Sequence, residues 1–142
     1  MAYVDKFLEL SDAQALTASA DSTNVVDLGV AGQVIGVEPM CVEFSVDVDA
    51  DFTTGDETYT FNLSTGSATT LGTTVVSKAV TAATLVAGYK FVISFDHTAL
   101  SRYVGVEYVL AGTTPSVTIT ASIKPLNMSD VRVNYASGYT IA

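Results

Sequence analysis

The sequence predicts an all-β fold, built as an antiparallel sandwich, jelly roll or small barrel. Three observations carry that expectation. Apolar and polar residues alternate with a period of two over four separate stretches, the signature of strands with one buried face. Charged residues fill 15% of the 142 positions, against about 25% in an average soluble domain, and valine and threonine, both strand formers, are prominent. No helical pattern is long enough to link parallel strands as a βαβ unit.

Taken in chain order, Asp5, Glu9 and Asp12 interrupt the apolar run that a secretory signal needs, so the chain is expected to stay in the cytosol that makes it. Residues 11–20 predict a short helix, with Ser11 as N-cap and Asp12 in the first turn. Short strands are expected over 24–30 and 33–37, separated by Ala31 and Gly32. The clearest strand is 40–49, where Met40, Val42, Phe44, Val46 and Val48 alternate with Cys41, Glu43, Ser45, Asp47 and Asp49. Residues 57–63 follow, with Tyr59, Phe61 and Leu63 on one face. A weaker strand covers 73–80, and 81–87 has room for one helical turn. Residues 88–95 put Tyr89, Phe91, Ile93 and Phe95 inward. In 102–110 Val104, Val106, Tyr108 and Leu110 face in, while Tyr103, Gly105, Glu107 and Val109 make a second face too apolar for open solvent. Residues 116–124 carry Val117, Ile119, Ala121 and Ile123 inward, and 130–136 offers a last strand. Turn residues cluster at 54–56, 64–72 and 111–115.

These elements form one domain, 1–142, with 1–20 as an N-terminal arm and 126–142 as a C-terminal strand or arm. A chain of this length buries roughly 70% of its unfolded surface, enough for a core without metal or disulfide. The ends are too apolar to hang in water, so they either close the sandwich or reach a neighbouring subunit.

Charge excludes several functions. Fifteen acidic residues against six basic ones give a net charge of −9. Such a chain has no stripe of lysine and arginine for nucleic-acid phosphates, and anionic membranes repel it. No apolar run approaches the roughly 18 residues of a spanning helix. Cys41 and His97 are each single, which removes intrachain disulfides and the common cysteine or histidine zinc sites.

Enzyme chemistry finds little support, and neither a catalytic residue nor a cofactor is expected. Asp47, Asp49 and Asp51 share one strand face about 7 Å apart, with Asp56 and Glu57 close by, so an oxygen-ligated calcium site is conceivable. The simpler reading is a solvated acidic strand end that resists edge pairing. Asp96 and His97 are adjacent, but neighbours on an extended chain point apart, so Asp96 is poorly placed to orient His97. Cys41 has no basic neighbour in sequence to lower its pKa and reads as a packing residue. Nucleotide-binding and hydrolase fingerprints are missing. What remains is a protein poor in charge, rich in small polar and β-branched residues, with apolar ends, suited to packing against something.

Residues 5–10, the stretch SDAQALTASADSTNVVDLG at 11–29, TLVAGYKF at 84–91 and RYVGVEYVLAGT at 102–113 occur in an order that resembles the capsid cement proteins of tailed bacteriophages typified by a Bordetella phage. The likeness spans most of residues 1–124. It implies a jelly-roll sandwich on the outer surface of an icosahedral head, made in the host bacterial cytoplasm. There it would cross-link major capsid proteins of the HK97-like fold and associate with itself as a homodimer or homotrimer. Our own expectation is that Tyr3, Val4, Phe7, Leu8 and Leu10 contact the shell, so that deleting residues 2–10 abolishes shell binding while the sandwich still folds. The other reading is a jelly-roll carbohydrate-binding or similar non-enzymatic module, which usually shows exposed aromatic platforms; this chain has no tryptophan.

Overall fold

A computed structural model describes residues 8–31 and 40–125. Nine strands are seen among them: β1 (Glu9–Leu16), β2 (Ala20–Asp21), β3 (Val26–Asp27), β4 (Met40–Val48), β5 (Thr58–Gly66), β6 (Thr73–Val80), β7 (Lys90–Phe95), β8 (Tyr103–Ala111) and β9 (Val117–Pro125). One sheet has the order β1-β9-β4-β7 and the other β2-β8-β5-β6, with β3 also on the free side of β8. Every pairing is antiparallel. With β2 and β3 together filling one strand position, successive strands alternate between the sheets, except for the β5–β6 hairpin, in the double Greek-key order of a jelly roll.

The alternating residues meet between the sheets. Val42, Phe44 and Val46 of β4 face Tyr59, Phe61 and Leu63 of β5, all almost fully buried. Phe44 stacks on Phe91 of the neighbouring β7 at 4.8 Å between centroids and tilts against Phe61 of the opposite sheet at 5.3 Å. Phe61 sits edge-on to Phe91 at 4.9 Å and to Tyr108 at 5.8 Å. Such ring pairs add about 0.5–1.5 kcal/mol each beyond the area they bury.

The helix expected over 11–20 is not formed: residues 9–16 are β1, at one edge of the first sheet. Its register with β9 slips between Glu9 and Ser11 and again between Ser11 and Gln14, and Ala13 has φ +46°. These bulges erase the period of two, which is why the stretch does not read as a strand. Ser11 is not an N-cap. Its side chain is buried, with Oγ 2.8 Å from the Tyr108 hydroxyl, a bond between the two sheets. The single turn expected over 81–87 is the 3-10 turn Ala82–Thr84. Of the short strand expected over 24–30, only Val26–Asp27 pairs; those expected over 33–37 and 130–136 lie outside the described residues.

Two outer faces are more closed than a sandwich surface usually is. Above β8, a Cβ on Gly105 would come within 2.8 Å of Leu71 Cδ1, so the loop after β5 covers the apolar outer face seen in the sequence. On the first sheet, Cys41, Glu43, Ser122 and Lys124 face away from the core yet are all buried. Lys124 Nζ donates to Glu43 Oε1 at 3.0 Å, with only 4% and 6% of the two side chains exposed. Alternation marks β4 as half-buried; over Met40–Phe44 it is buried on both faces, and the pairing of opposite charges makes that tolerable. Replacing Lys124→Met should lower the unfolding free energy by about 3–5 kcal/mol, and adding Glu43→Leu should recover most of it. Denaturant titration of the two variants checks this, and a single variant as stable as the parent would contradict it.

Candidate interaction surface

One end of the sandwich gathers the loops after β4 (49–57), between β6 and β7 (81–89) and between β8 and β9 (112–116). Backbone bonds stitch them together: Ala50 N donates to Leu85 O at 2.8 Å, Asp51 N to Ser116 O at 2.9 Å and Gly88 N to Val46 O at 2.9 Å. Tyr59, at the start of β5, is the latch. Its buried hydroxyl donates to Asp51 O at 2.5 Å and accepts from Ser116 N at 3.1 Å. Gly112 is required in the last loop, because its φ is +99° and a Cβ would fall 2.5 Å from Asp56 O.

The five carboxylates of this region do not converge. Asp47 Oδ2 accepts from Thr120 Oγ1 at 2.6 Å on the outer face of the first sheet. Strand β4 ends at Val48, so Asp49 and Asp51 lie beyond it and do not continue one strand face. Asp49 accepts from the Ala87 amide at 2.6 Å, and Asp51 from the amide and hydroxyl of Thr53. Asp56 accepts from the Thr54 hydroxyl and from the Thr113 amide and hydroxyl, tying the first loop to the last. Glu57 accepts from the Thr54 hydroxyl and the Gly55 amide. Asp47 bonds across to the neighbouring strand, and the other four shape turns, Asp56 and Glu57 sharing Thr54. Among the described residues no three His, Cys, Asp or Glu side chains are grouped to hold a metal ion, so Asp47, Asp49 and Asp51 do not form the calcium cluster their spacing allows.

Apolar side chains surface among these acids. Val48 is 57% exposed, Phe52 51% and Val86 47%. The alternation places Val48 inward; a register shift between Val46 and Val48 turns it out. Beside Phe52 opens a cleft of about 400 Å³ lined by Phe52, Glu57, Tyr59, Val80 and Ala82. Sequence reasoning missed this patch. Its one signal was a phenylalanine inside an acidic turn, where a solvated loop has no use for one.

The other expected site residues fall elsewhere. Leu10 is fully buried and belongs to the core cluster, so its side chain is spent inside the domain and is not offered to a partner. Leu8 packs partly buried against the same core. Tyr3, Val4 and Phe7 lie outside the described residues. Cys41 is buried, and burial together with the Glu43 charge pushes its thiol up to about 11, so it stays neutral at physiological pH. Asp96 accepts from the Thr98 amide at 2.9 Å and caps the 3-10 turn His97–Ala99. Among the described residues no helix is long and apolar enough to cross a membrane.

Hydrogen bonds from threonines hold Asp51, Asp56 and Glu57 below the usual carboxylate range, and the bidentate Arg102 guanidinium holds Asp27 at about 2. A native pKa below the unfolded one means that the folded chain binds fewer protons, so this stabilisation is present at neutral pH and lost as pH falls. The melting temperature should hold between about pH 7 and 5 and drop below about pH 4, where unfolded carboxylates protonate. Asp56→Asn should flatten part of that drop; thermal melts across the range check both.

Among curated proteins none matches the chain. A model of the Bbp16 family does, over residues 10–123, which runs from the first residues of β1 almost to the end of β9. That span includes both sheets and the whole loop end just described. The match covers well over half of the chain and agrees with the Bordetella-phage likeness carried by its sequence, and the chain belongs to the Bbp16 family.

Proposed function

We propose that this protein is a structural component of a phage particle, a cement protein on the outer surface of an icosahedral head that cross-links major capsid proteins of the HK97-like fold. The observation that carries this reading is the family match along the entire jelly roll, from 10 to 123. A rigid sandwich whose carboxylates are engaged in shaping its own turns, and whose one cysteine is buried and neutral, suits adhesion better than catalysis. The net charge of −9 suits a protein that faces outward, away from packaged DNA.

The mechanism is multivalency. Packaged DNA strains the shell and tends to part neighbouring capsomers. A homodimer or homotrimer that grips two or more of them forces several contacts to break together, and once one contact has formed the others form at high effective concentration. Many copies of a modest interface then hold the shell without a covalent bond.

Quantitative mass spectrometry of gradient-purified particles should find the protein at a fixed ratio to the major capsid protein. Complete absence from the particles would overturn the reading and favour the carbohydrate-binding module. The N-terminal contact calls for a narrower deletion than 2–10, because Leu10 is core. Removing residues 2–7 should leave the melting temperature within a few degrees of the parent while shell binding is lost. Unchanged binding would remove the arm from the interface.

A further inference from the structure

The chain has four large, strongly exposed apolar side chains among its described residues, and three of them, Val48, Phe52 and Val86, belong to the loop end. The end of β4 with its loop and the β6–β7 loop, which carry them, are joined by Ala50 N to Leu85 O and by the Ala87 amide to Asp49. Phe52 also lines the cleft, as does Ala82 of the other loop. The same end carries the exposed acids Asp47, Asp49 and Asp56 and the partly buried Asp51, and loops 49–57, 81–89 and 112–116 contain neither lysine nor arginine, the exposed Lys90 opening the strand that follows. Exposed apolar side chains set among mainly acidic ones are the anatomy of an interface that buries apolar surface and reads charge beside it.

We infer that this loop end is a docking surface additional to the N-terminal arm, whose strand β1 begins at the opposite end of the sandwich, and that its occupant is a positively charged protein surface from which an apolar side chain enters the cleft beside Phe52. The inference rests on the shell reading, in which that surface belongs to the capsid subunit. Charge decides the occupant: a second copy would set two acidic surfaces against each other, and nucleic acid or anionic lipid would be repelled. The acidic surface is also ordered before binding. Its carboxylates are fixed by Thr53, Thr54, Thr113, Thr120 and the Gly55 and Ala87 amides, so little side-chain freedom is lost on contact. A carboxylate offers about four lone-pair positions, which leaves room for a lysine or arginine on the exposed Asp47, Asp49 and Asp56.

The full-length protein is titrated onto purified heads that lack it, and binding is read by co-sedimentation at several salt concentrations. Parent binding should weaken as salt rises. Phe52→Ser combined with Val86→Ser should weaken it at least about tenfold at unchanged melting temperature, since both side chains are about half exposed. Asp47→Asn with Asp49→Asn keeps an acceptor oxygen at each position and should reduce the salt dependence. Val30, the fourth exposed apolar residue, lies just beyond β3, at the opposite end of β8 from this patch, and Val30→Ser should bind as the parent does. Parent-like binding by the Phe52 and Val86 variant overturns this docking surface and leaves the shell reading standing, as does equal loss in Val30→Ser. A parent that fails to bind heads overturns both.

Discussion

Four rings set the distance between the sheets. Phe44 and Phe91 come from one sheet, Phe61 and Tyr108 from the other, and their centroids lie 4.8–6.4 Å apart. Close packing leaves little slack around groups this large, so each ring fixes the register of the strand that carries it. Phe44 pairs with Phe91, and Phe61 with Tyr108, across their ladders. From Tyr108 the constraint passes to the edge strand, because its hydroxyl meets Ser11 inside the core and holds β1 against the opposite sheet. Burial raises the phenol pKa well above its ordinary value, so the hydroxyl keeps its proton and the bond persists.

Once the sandwich is fixed, its loop end becomes rigid by a second means. Threonine hydroxyls and backbone amides take up the carboxylates one by one, and Tyr59 locks two loops to a common point. The acids therefore contribute to shape before they contribute to recognition. Their charge is not neutralised by these bonds, and it lies at the same end as the exposed Val48, Phe52 and Val86. In the proposed cement role such a surface, preorganised and repeated at every copy, lets many modest contacts add up.

The outer face of the first sheet works differently. There Glu43 and Lys124 are paired away from water beside a neutral Cys41. Burying both ions costs more than an apolar pair would, while breaking the pair is worse still, so the two positions are bound to each other in any tolerated substitution.

Much of the fold was legible in the sequence, because a strand with one buried face writes a period of two. Strands β4, β5, β7, β8 and β9 were placed within a few residues on that signal, and the turn residues between them marked the crossings. The same signal fails wherever the ladder slips. Bulges hid β1 as a helix and turned Val48 from core to surface. The acidic run could be read as ligands because spacing along a chain says nothing about which donor reaches each carboxylate first; Thr113 and Thr120 are remote in sequence from the acids they hold.

By itself, then, the sequence determined the class of fold, the inward residues of the central strands, the excess of negative charge and the chemistry that a single cysteine and a single histidine rule out. These are properties of composition and local period, which do not depend on what lies opposite. Only the tertiary structure decided that Leu10 is core, that Glu43 and Lys124 meet, and that Val48, Phe52 and Val86 surface at one acidic end. Each of those facts joins segments far apart along the chain, and no local pattern encodes which distant strand or loop will arrive there.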